Sequence, residues 1–126
     1  MSLNGIRVLI VEDDETQRDL LTRVFTHAGA TVRTASDGNE ALRLLKDESP
    51  ELLVMDLMMP WVGGIEVLAA VRQHRPLATL PVLVTTGSAT SAYDLRDFGP
   101  IRVLHKPFEL SSVLRAAQKL LGIEPK

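Results

Sequence analysis

The chain has 126 residues, of which 45% are hydrophobic and 24% are charged, a composition typical of one soluble globular domain. It contains no cysteine, which excludes disulfides and thiolate metal sites, and its formal net charge of −2 gives no reason to expect direct nucleic-acid binding. No apolar run approaches the roughly 20 residues of a membrane span, and the first residues do not resemble a signal peptide, so we expect a cytoplasmic protein without a membrane partner.

The first half of the chain alternates strand patterns with amphipathic helix patterns. The apolar run at 6–11, IRVLIV, predicts a strand covered on both faces. A helix is predicted over 15–28, with apolar positions at Leu20, Leu21, Val24, Phe25 and Ala28. After a short strand at 30–35, Asp37 and Glu40 form a D-x-x-E capping pattern that predicts the start of a second helix.

The second half continues this alternation. Strands are predicted at 52–56, 81–86 and 101–105, and helices at 65–72, 88–98 and 110–121. The last helix has the clearest apolar face, formed by Leu110, Val113, Leu114, Ala117, Leu120 and Leu121. Five strands and five helices in alternation predict an α/β fold with a doubly wound parallel sheet. We expect a single domain over 1–126, with a core of about 5–122 and 123–126 as a tail or the start of a linker.

Polar residues stand at the carboxyl ends of the predicted strands, the edge where doubly wound sheets bind ligands. If the first and third strands are neighbours, the carboxylates of Glu12, Asp13 and Asp56 meet, and their mutual repulsion demands a cation. Oxygen ligands without cysteine suit Mg²⁺ or Mn²⁺. Lys106 would add a positive charge and Thr86 a hydroxyl donor. This set of functional groups fits phosphoryl transfer to the Asp56 carboxylate, which would form an acyl phosphate.

Four motifs at strand ends make the chain similar to a known family. They are Glu12-Asp13, the segment MDLMMP around Asp56, Thr86-Gly87 and Lys106-Pro107-Phe108. Over nearly its whole length the chain resembles the response-regulator receiver domains of two-component signal transduction, including the chemotaxis receivers. The resemblance implies the flavodoxin-like strand order 2-1-3-4-5.

The resemblance also implies a role for each residue of the site. Asp56 would accept a phosphoryl group from a sensor histidine kinase or a histidine phosphotransfer protein, and the domain would then regulate an output domain or protein partner. The implied Mg²⁺ ligands are Glu12, acting mainly through a water, Asp13, Asp56 and the backbone carbonyl of Met58. The implied phosphate contacts are Thr86, Lys106 and the backbone of Met58 and Gly87, and the bond between Lys106 and Pro107 is implied to be cis.

Val103 departs from the family pattern, three positions before Lys106. In many relatives an aromatic residue there moves with the threonine and signals to the surface of the fourth helix, fifth strand and fifth helix, which these domains often use to form homodimers. Tyr93 is a candidate substitute. The departure leaves open a pseudo-receiver that keeps the fold as an interaction module without phosphorylation.

Two other classes fit the sequence less well. An aspartate-nucleophile phosphatase needs a second aspartate two residues after the nucleophile, where this chain has Met58. A flavin-binding module needs a Ser/Thr/Gly-rich phosphate loop after the first strand, where this chain has EDDETQ. We therefore expect a switch that hydrolyses its own phosphoryl group slowly, and not a turnover enzyme.

Trp61 follows the predicted phosphoacceptor strand and is the only tryptophan of the chain. A large aromatic side chain in this segment has three interpretations: a contact for a protein partner, a lid over the site, or a residue packed within its loop. In each case its fluorescence is expected to report on the surroundings of the pocket. The sequence alone does not choose among them.

Overall fold

In the computed structural model, residues 2–59, 61–87, 95 and 99–123 are described. The strands are β1 (Arg7–Val11), β2 (Thr31–Ala35), β3 (Leu52–Asp56), β4 (Val82–Thr86) and β5 (Ile101–His105). The helices are α1 (Glu15–His27), α2 (Gly38–Asp47), α3 (Gly64–Gln73) and α4 (Leu110–Leu121), with a 3₁₀ turn at Arg75–Leu77. No helix in these residues is both long and apolar enough to cross a membrane.

The number of helices differs from the sequence prediction. The described residues contain four α-helices where five were predicted. The helix predicted over 88–98 lies outside the described residues, except for the buried Leu95, and so does Tyr93. The other helices agree with their predicted positions to within a few residues, which is the usual uncertainty at helix ends.

All five strands are parallel, in the order β2-β1-β3-β4-β5. This confirms the order implied by the family resemblance. The register pairs Val11 with Met55 and Asp56 with Thr85, so the carboxyl ends of β1, β3 and β4 lie at nearly the same level. Residues that follow these strands therefore meet at one edge of the sheet.

Side chains of the central strands alternate between two hydrophobic cores, one on each face of the sheet. On one face, residues such as Leu9, Met55 and Val84 pack against α2 and α3. On the other face, residues such as Ile10 and Leu83 pack against α1 and α4. Because β3 and β4 are buried along their whole length, both begin as continuous apolar runs, and polar residues appear only at their carboxyl ends. Each buried leucine or valine contributes roughly 1.5–3 kcal/mol to the hydrophobic stabilisation.

Two leucines assigned to apolar helix faces are exposed instead. Leu20 of α1 is 39% exposed and Leu110 of α4 is 43% exposed, so these two predictions were wrong. Leu20 stands beside Leu21, which is buried, and a rotation of about 100° per residue carries it to the edge of the apolar stripe. Leu110 is the first residue of α4, one turn before Val113, where the helix contacts the core.

The predicted start of α2 is confirmed. Asp37 is the N-cap, and its Oδ1 accepts a hydrogen bond of 2.8 Å from the backbone N–H of Glu40. Glu40 in turn accepts a 3.0 Å bond from the backbone N–H of Ser36 through Oε1. These reciprocal bonds satisfy donors that a helix start leaves without partners.

Candidate functional site

Three carboxylates meet at the carboxyl ends of β1 and β3. Glu12 and Asp13 follow β1, Asp56 ends β3, and one oxygen from each side chain lies within 4.8 Å of the others. Glu12 and Asp56 are buried, whereas Asp13 is exposed. The structure therefore brings together the three acids that the sequence placed at neighbouring strand ends, because β1 and β3 are adjacent.

Lys106 lies between the two buried carboxylates. Its Nζ donates hydrogen bonds to Asp56 Oδ2 at 3.0 Å and to Glu12 Oε1 at 3.1 Å. Lys106 follows β5, so its side chain must extend past β4 to reach Asp56 on β3. The interpretation of Lys106 as a solvated loop residue is thereby excluded, because two buried carboxylates hold its ammonium group.

Backbone groups satisfy the remaining carboxylate oxygens. The N–H of Met58 donates to Asp56 Oδ1 at 3.0 Å, and the N–H of Asp14 donates to Glu12 Oε2 at 3.3 Å. Each buried carboxylate thus accepts one hydrogen bond from the backbone and one from Lys106. Hydrogen bonds of this kind offset the cost of removing a charge from water.

The buried charges change the ionisation of one another. Burial, assisted by the negative charge of Asp56, raises the pKa of Glu12 from 4.5 to about 7, against the opposing effects of the Asp14 N–H and Lys106. Burial alone would lower the pKa of Lys106, but its hydrogen bonds with Asp56 and Glu12 outweigh burial and raise that pKa. The ammonium group is therefore charged at neutral pH, while Glu12 is poised to bind or release a proton.

The end of β4 approaches the lysine through its backbone. Thr86 is buried, and its carbonyl accepts a 2.7 Å hydrogen bond from the N–H of Lys106. Gly87 follows at the surface, where an added Cβ would lie 3.9 Å from the Lys106 side chain. The peptide bond between Lys106 and Pro107 is cis. These residues adjoin the carboxylates through the Lys106 side chain.

Val103 lies away from the carboxylates, in the middle of β5. It is half-buried, pairs in register with Val84, and packs against the core on the side of α2 and α3. Its side chain is aliphatic and adds to that core. The structure therefore places Val103 among packing residues and outside the cluster of charged groups.

A cleft of about 430 Å³ opens beside Lys106. Its lining residues are Asp14, Gln17, Gly87, Lys106, Pro107 and Phe108. The walls combine a carboxylate, an amide and an ammonium group with the apolar surface of Pro107 and Phe108. The cleft therefore adjoins the acidic cluster through Lys106.

The loop between β3 and α3 presents Trp61 to solvent. The N–H of Gly64 donates to the Leu57 carbonyl at 3.0 Å, which closes the loop at its base. Trp61 is 85% exposed and has a φ of +61°, a backbone conformation that is unfavourable for a bulky side chain. The interpretation of Trp61 as a packed residue is therefore excluded, and Met58 in the same loop is also exposed.

Sequence reasoning gave no role to Thr85, the residue before Thr86. The Thr85 side chain is buried, and its hydroxyl oxygen has no hydrogen-bond partner in the described part of the chain. A threonine pair at the end of a strand is visible in the sequence, but only the structure shows which hydroxyl lacks a partner.

Comparison with known sequences identifies relatives over nearly the whole chain. The profile of the response regulator receiver domain family matches residues 8–118. Response regulator MprA of Mycobacterium ulcerans is 37% identical over 119 residues, which cover 93% of this chain and 50% of that protein. Transcriptional regulatory protein GltR of Pseudomonas aeruginosa is 32% identical over 123 residues, which cover 96% of this chain and 51% of that protein. The chain thus spans about half the length of these relatives.

Solved structures show the same fold. The chemotaxis response regulator CheY4 of Vibrio cholerae superposes with a TM-score of 0.87 at 28% identity, covering 94% of this chain and 100% of that one. A putative response regulator from Chloroflexus aurantiacus gives a TM-score of 0.87 at 31% identity, covering 94% and 99%. The similarity therefore extends across the full sheet and its flanking helices.

Proposed function

The chain belongs to the response regulator receiver domain family, and on that basis we propose that it is a signalling switch that accepts a phosphoryl group on Asp56. The observation that supports this proposal is the contact of Lys106 Nζ with Asp56 Oδ2 at 3.0 Å, beside the acidic cluster. The buried Asp56 carboxylate therefore lies next to the ammonium group of Lys106 and to two further carboxylates. The proposed donor is a phosphohistidine on a sensor histidine kinase or a histidine phosphotransfer protein.

The acidic cluster fits Mg²⁺ or Mn²⁺. It offers carboxylate oxygens and no thiolate or imidazole, which is the donor set that these hard cations prefer. We assign Asp13, Asp56 and the backbone carbonyl of Met58 as ligands, with Glu12 acting mainly through water. When bound, the ion would supply positive charge that neutralises the phosphoryl oxygens.

The proposed reaction uses the residues of the site in an in-line displacement. A carboxylate oxygen of Asp56 bonds to phosphorus, the bond between phosphorus and the donor imidazole nitrogen breaks, and that nitrogen keeps the electron pair. The N–H of Met58 holds the carboxylate in place before attack. The Lys106 ammonium then moves from the carboxylate to the phosphoryl oxygens, with the Thr86 hydroxyl as a further donor.

The proposed consequence is a conformational change that regulates an output domain or protein partner. A phosphoryl group that shifts a two-state equilibrium from 1:99 to 99:1 must favour one conformer by about 5.5 kcal/mol. Val103 would contribute to this change only through packing, because its side chain has no polar group. The domain would turn over its own phosphoryl group and no external substrate.

Intact-mass measurement after incubation with acetyl phosphate and Mg²⁺ tests the proposal. The wild-type domain should gain one phosphoryl group, and neither Asp56→Asn nor a sample with excess chelator should gain it. Circular dichroism must show that the variant is folded. A folded wild-type domain without an adduct would contradict the proposal and favour the pseudo-receiver, in which the fold serves only as an interaction surface.

A further inference from the structure

The Thr85 hydroxyl is an unusual group in this fold. Thr85 is 1% exposed, and its Oγ1 has no hydrogen-bond partner among the described residues. Buried hydroxyl groups are nearly always paired, because an unpaired one loses its bonds to water without compensation. A group of this kind beside a reactive residue suggests a partner that is engaged in another state of the protein.

The register of the sheet places Thr85 directly beside the phosphoacceptor. Thr85 of β4 is the register partner of Asp56 of β3, and the Leu57 N–H donates to the Thr85 carbonyl at 2.9 Å. Residues paired in this way in parallel strands point to the same face and lie about 4.8 Å apart at their backbones. The Thr85 and Asp56 side chains therefore point to the same face of the sheet, the one covered by α1 and α4.

In the unphosphorylated site, Lys106 and the backbone hold the Asp56 carboxylate. Lys106 approaches from β5, on the far side of β4, and its Nζ occupies Asp56 Oδ2 at 3.0 Å. The other oxygen, Oδ1, accepts the Met58 N–H. Both oxygens of Asp56 are thus engaged by donors other than Thr85.

We propose that Thr85 is a catalytic residue for the hydrolysis of phosphorylated Asp56 and thereby shortens the lifetime of the phosphoryl group. The inference rests on the proposed phosphorylation, in which Lys106 leaves Oδ2 for the phosphoryl oxygens. The Thr85 hydroxyl then donates to the Asp56 oxygen that Lys106 has left. During hydrolysis, the oxygen of water bonds to phosphorus and the bond between phosphorus and the Asp56 oxygen breaks. The carboxylate keeps the electron pair, and the protons of water leave with the phosphate and the solvent.

The hydrogen bond from Thr85 stabilises the negative charge that returns to the carboxylate in this step. Thr85→Val removes the hydroxyl with little change of shape. After phosphorylation with acetyl phosphate and removal of the donor by desalting, this variant should keep its phosphoryl group about three- to tenfold longer than the wild type, as expected for one hydrogen bond. Thr85→Ser keeps a hydroxyl and should restore a lifetime close to that of the wild type.

A matched control separates this effect from the general effect of valine. The Thr22 hydroxyl on α1 donates to the Arg18 carbonyl at 2.8 Å, so Thr22→Val removes a hydroxyl outside the site and should leave the lifetime unchanged. Unphosphorylated Thr85→Val should also unfold at a higher urea concentration than the wild type, because it buries no unpaired hydroxyl.

Three results would overturn the inference. The first is an unchanged lifetime in Thr85→Val, and the second is an equally long lifetime in Thr85→Ser, which would indicate a packing effect. The third is a lower urea midpoint for Thr85→Val, which would show that the hydroxyl is already paired. A wild-type domain that gains no phosphoryl group would instead refute the proposed function, and this inference with it, before any lifetimes are compared.

Discussion

At the scale of single residues, the site holds like charges together through one lysine. Glu12 and Asp56 carry like charges, and burial makes Glu12 more costly to ionise. Lys106 donates a hydrogen bond to each of the two carboxylates, so a single ammonium group stabilises both. The pKa of Glu12 is raised to about 7, so this carboxyl group can bind a proton near neutral pH.

The raised pKa of Glu12 predicts a pH dependence of stability. Because the folded protein binds this proton more tightly than the unfolded chain, stability due to Glu12 is greatest at low pH and is lost as pH rises from 4.5 to about 7. The loss is up to about 3 kcal/mol of unfolding free energy. Urea unfolding in excess chelator should show the difference between wild type and Glu12→Gln changing by this amount across the window.

Glu15→Gln provides the control for this measurement. Glu15 is an exposed acid at the start of α1, so the pH-dependent change for Glu15→Gln should be smaller than that for Glu12→Gln. Parallel pH profiles for the wild type and Glu12→Gln would contradict the prediction.

Residue types at strand ends made most of the site predictable. Glu12, Asp13, Asp56 and Lys106 could be placed together because parallel strands bring their carboxyl ends to one edge. The exposure of Trp61 and the unpaired hydroxyl of Thr85 could not be predicted, since both depend on the detailed course of a loop and on neighbouring side-chain directions. Sequence patterns carry no information about either.

At the scale of elements, the loop between β3 and α3 is held by close backbone contact. A Cβ at Gly64 would lie 2.7 Å from Leu57 Cα and 2.9 Å from the Leu57 carbonyl oxygen, so only glycine fits there without a shift. At the adjacent Gly63 the nearest atoms would be 3.8 Å away. The two glycines therefore differ in the space that their surroundings leave for a side chain.

This difference predicts unequal effects of the same substitution. Gly64→Ala should lower the unfolding free energy by about 1–3 kcal/mol, as expected for overpacking. Gly63→Ala should cost less than about 1 kcal/mol, the scale of replacing glycine at an N-cap. Urea titrations of the two variants measure the difference, and equal losses would show that the loop at Gly64 can move aside.

Element positions were predictable because periodicity is a local property. The strand patterns located all five strands to within one residue, and the capping residues Asp37 and Glu40 located the start of α2. Leu20 and Leu110 were assigned wrongly, because helical spacing gives the direction of a side chain and not whether another element covers it. The strand order came from the family resemblance, since periodicity does not specify which strands are neighbours.

At the scale of the whole molecule, ligand binding at the acidic cluster should stabilise the fold. If Mg²⁺ binds the folded state alone, a concentration one hundred times Kd adds about 2.7 kcal/mol and raises Tm on the order of 10 °C. Calorimetry at constant ionic strength measures this shift. Asp13→Asn should lose most of it, whereas Asp19→Asn, an exposed acid on α1, should keep it. An equal shift in both variants would contradict metal binding at the cluster.

The ion pair between Glu12 and Lys106 joins residues 94 positions apart, and this separation has a consequence during biosynthesis. A ribosome adds both carboxylates, Glu12 and Asp56, well before it reaches the lysine that compensates them. A nascent chain halted before β5 therefore carries the acids without their cation and without the edge strand that positions it. Under the proposed function, such a chain would not yet be competent to accept a phosphoryl group, so partial translation products would not compete with the finished domain for a phosphodonor.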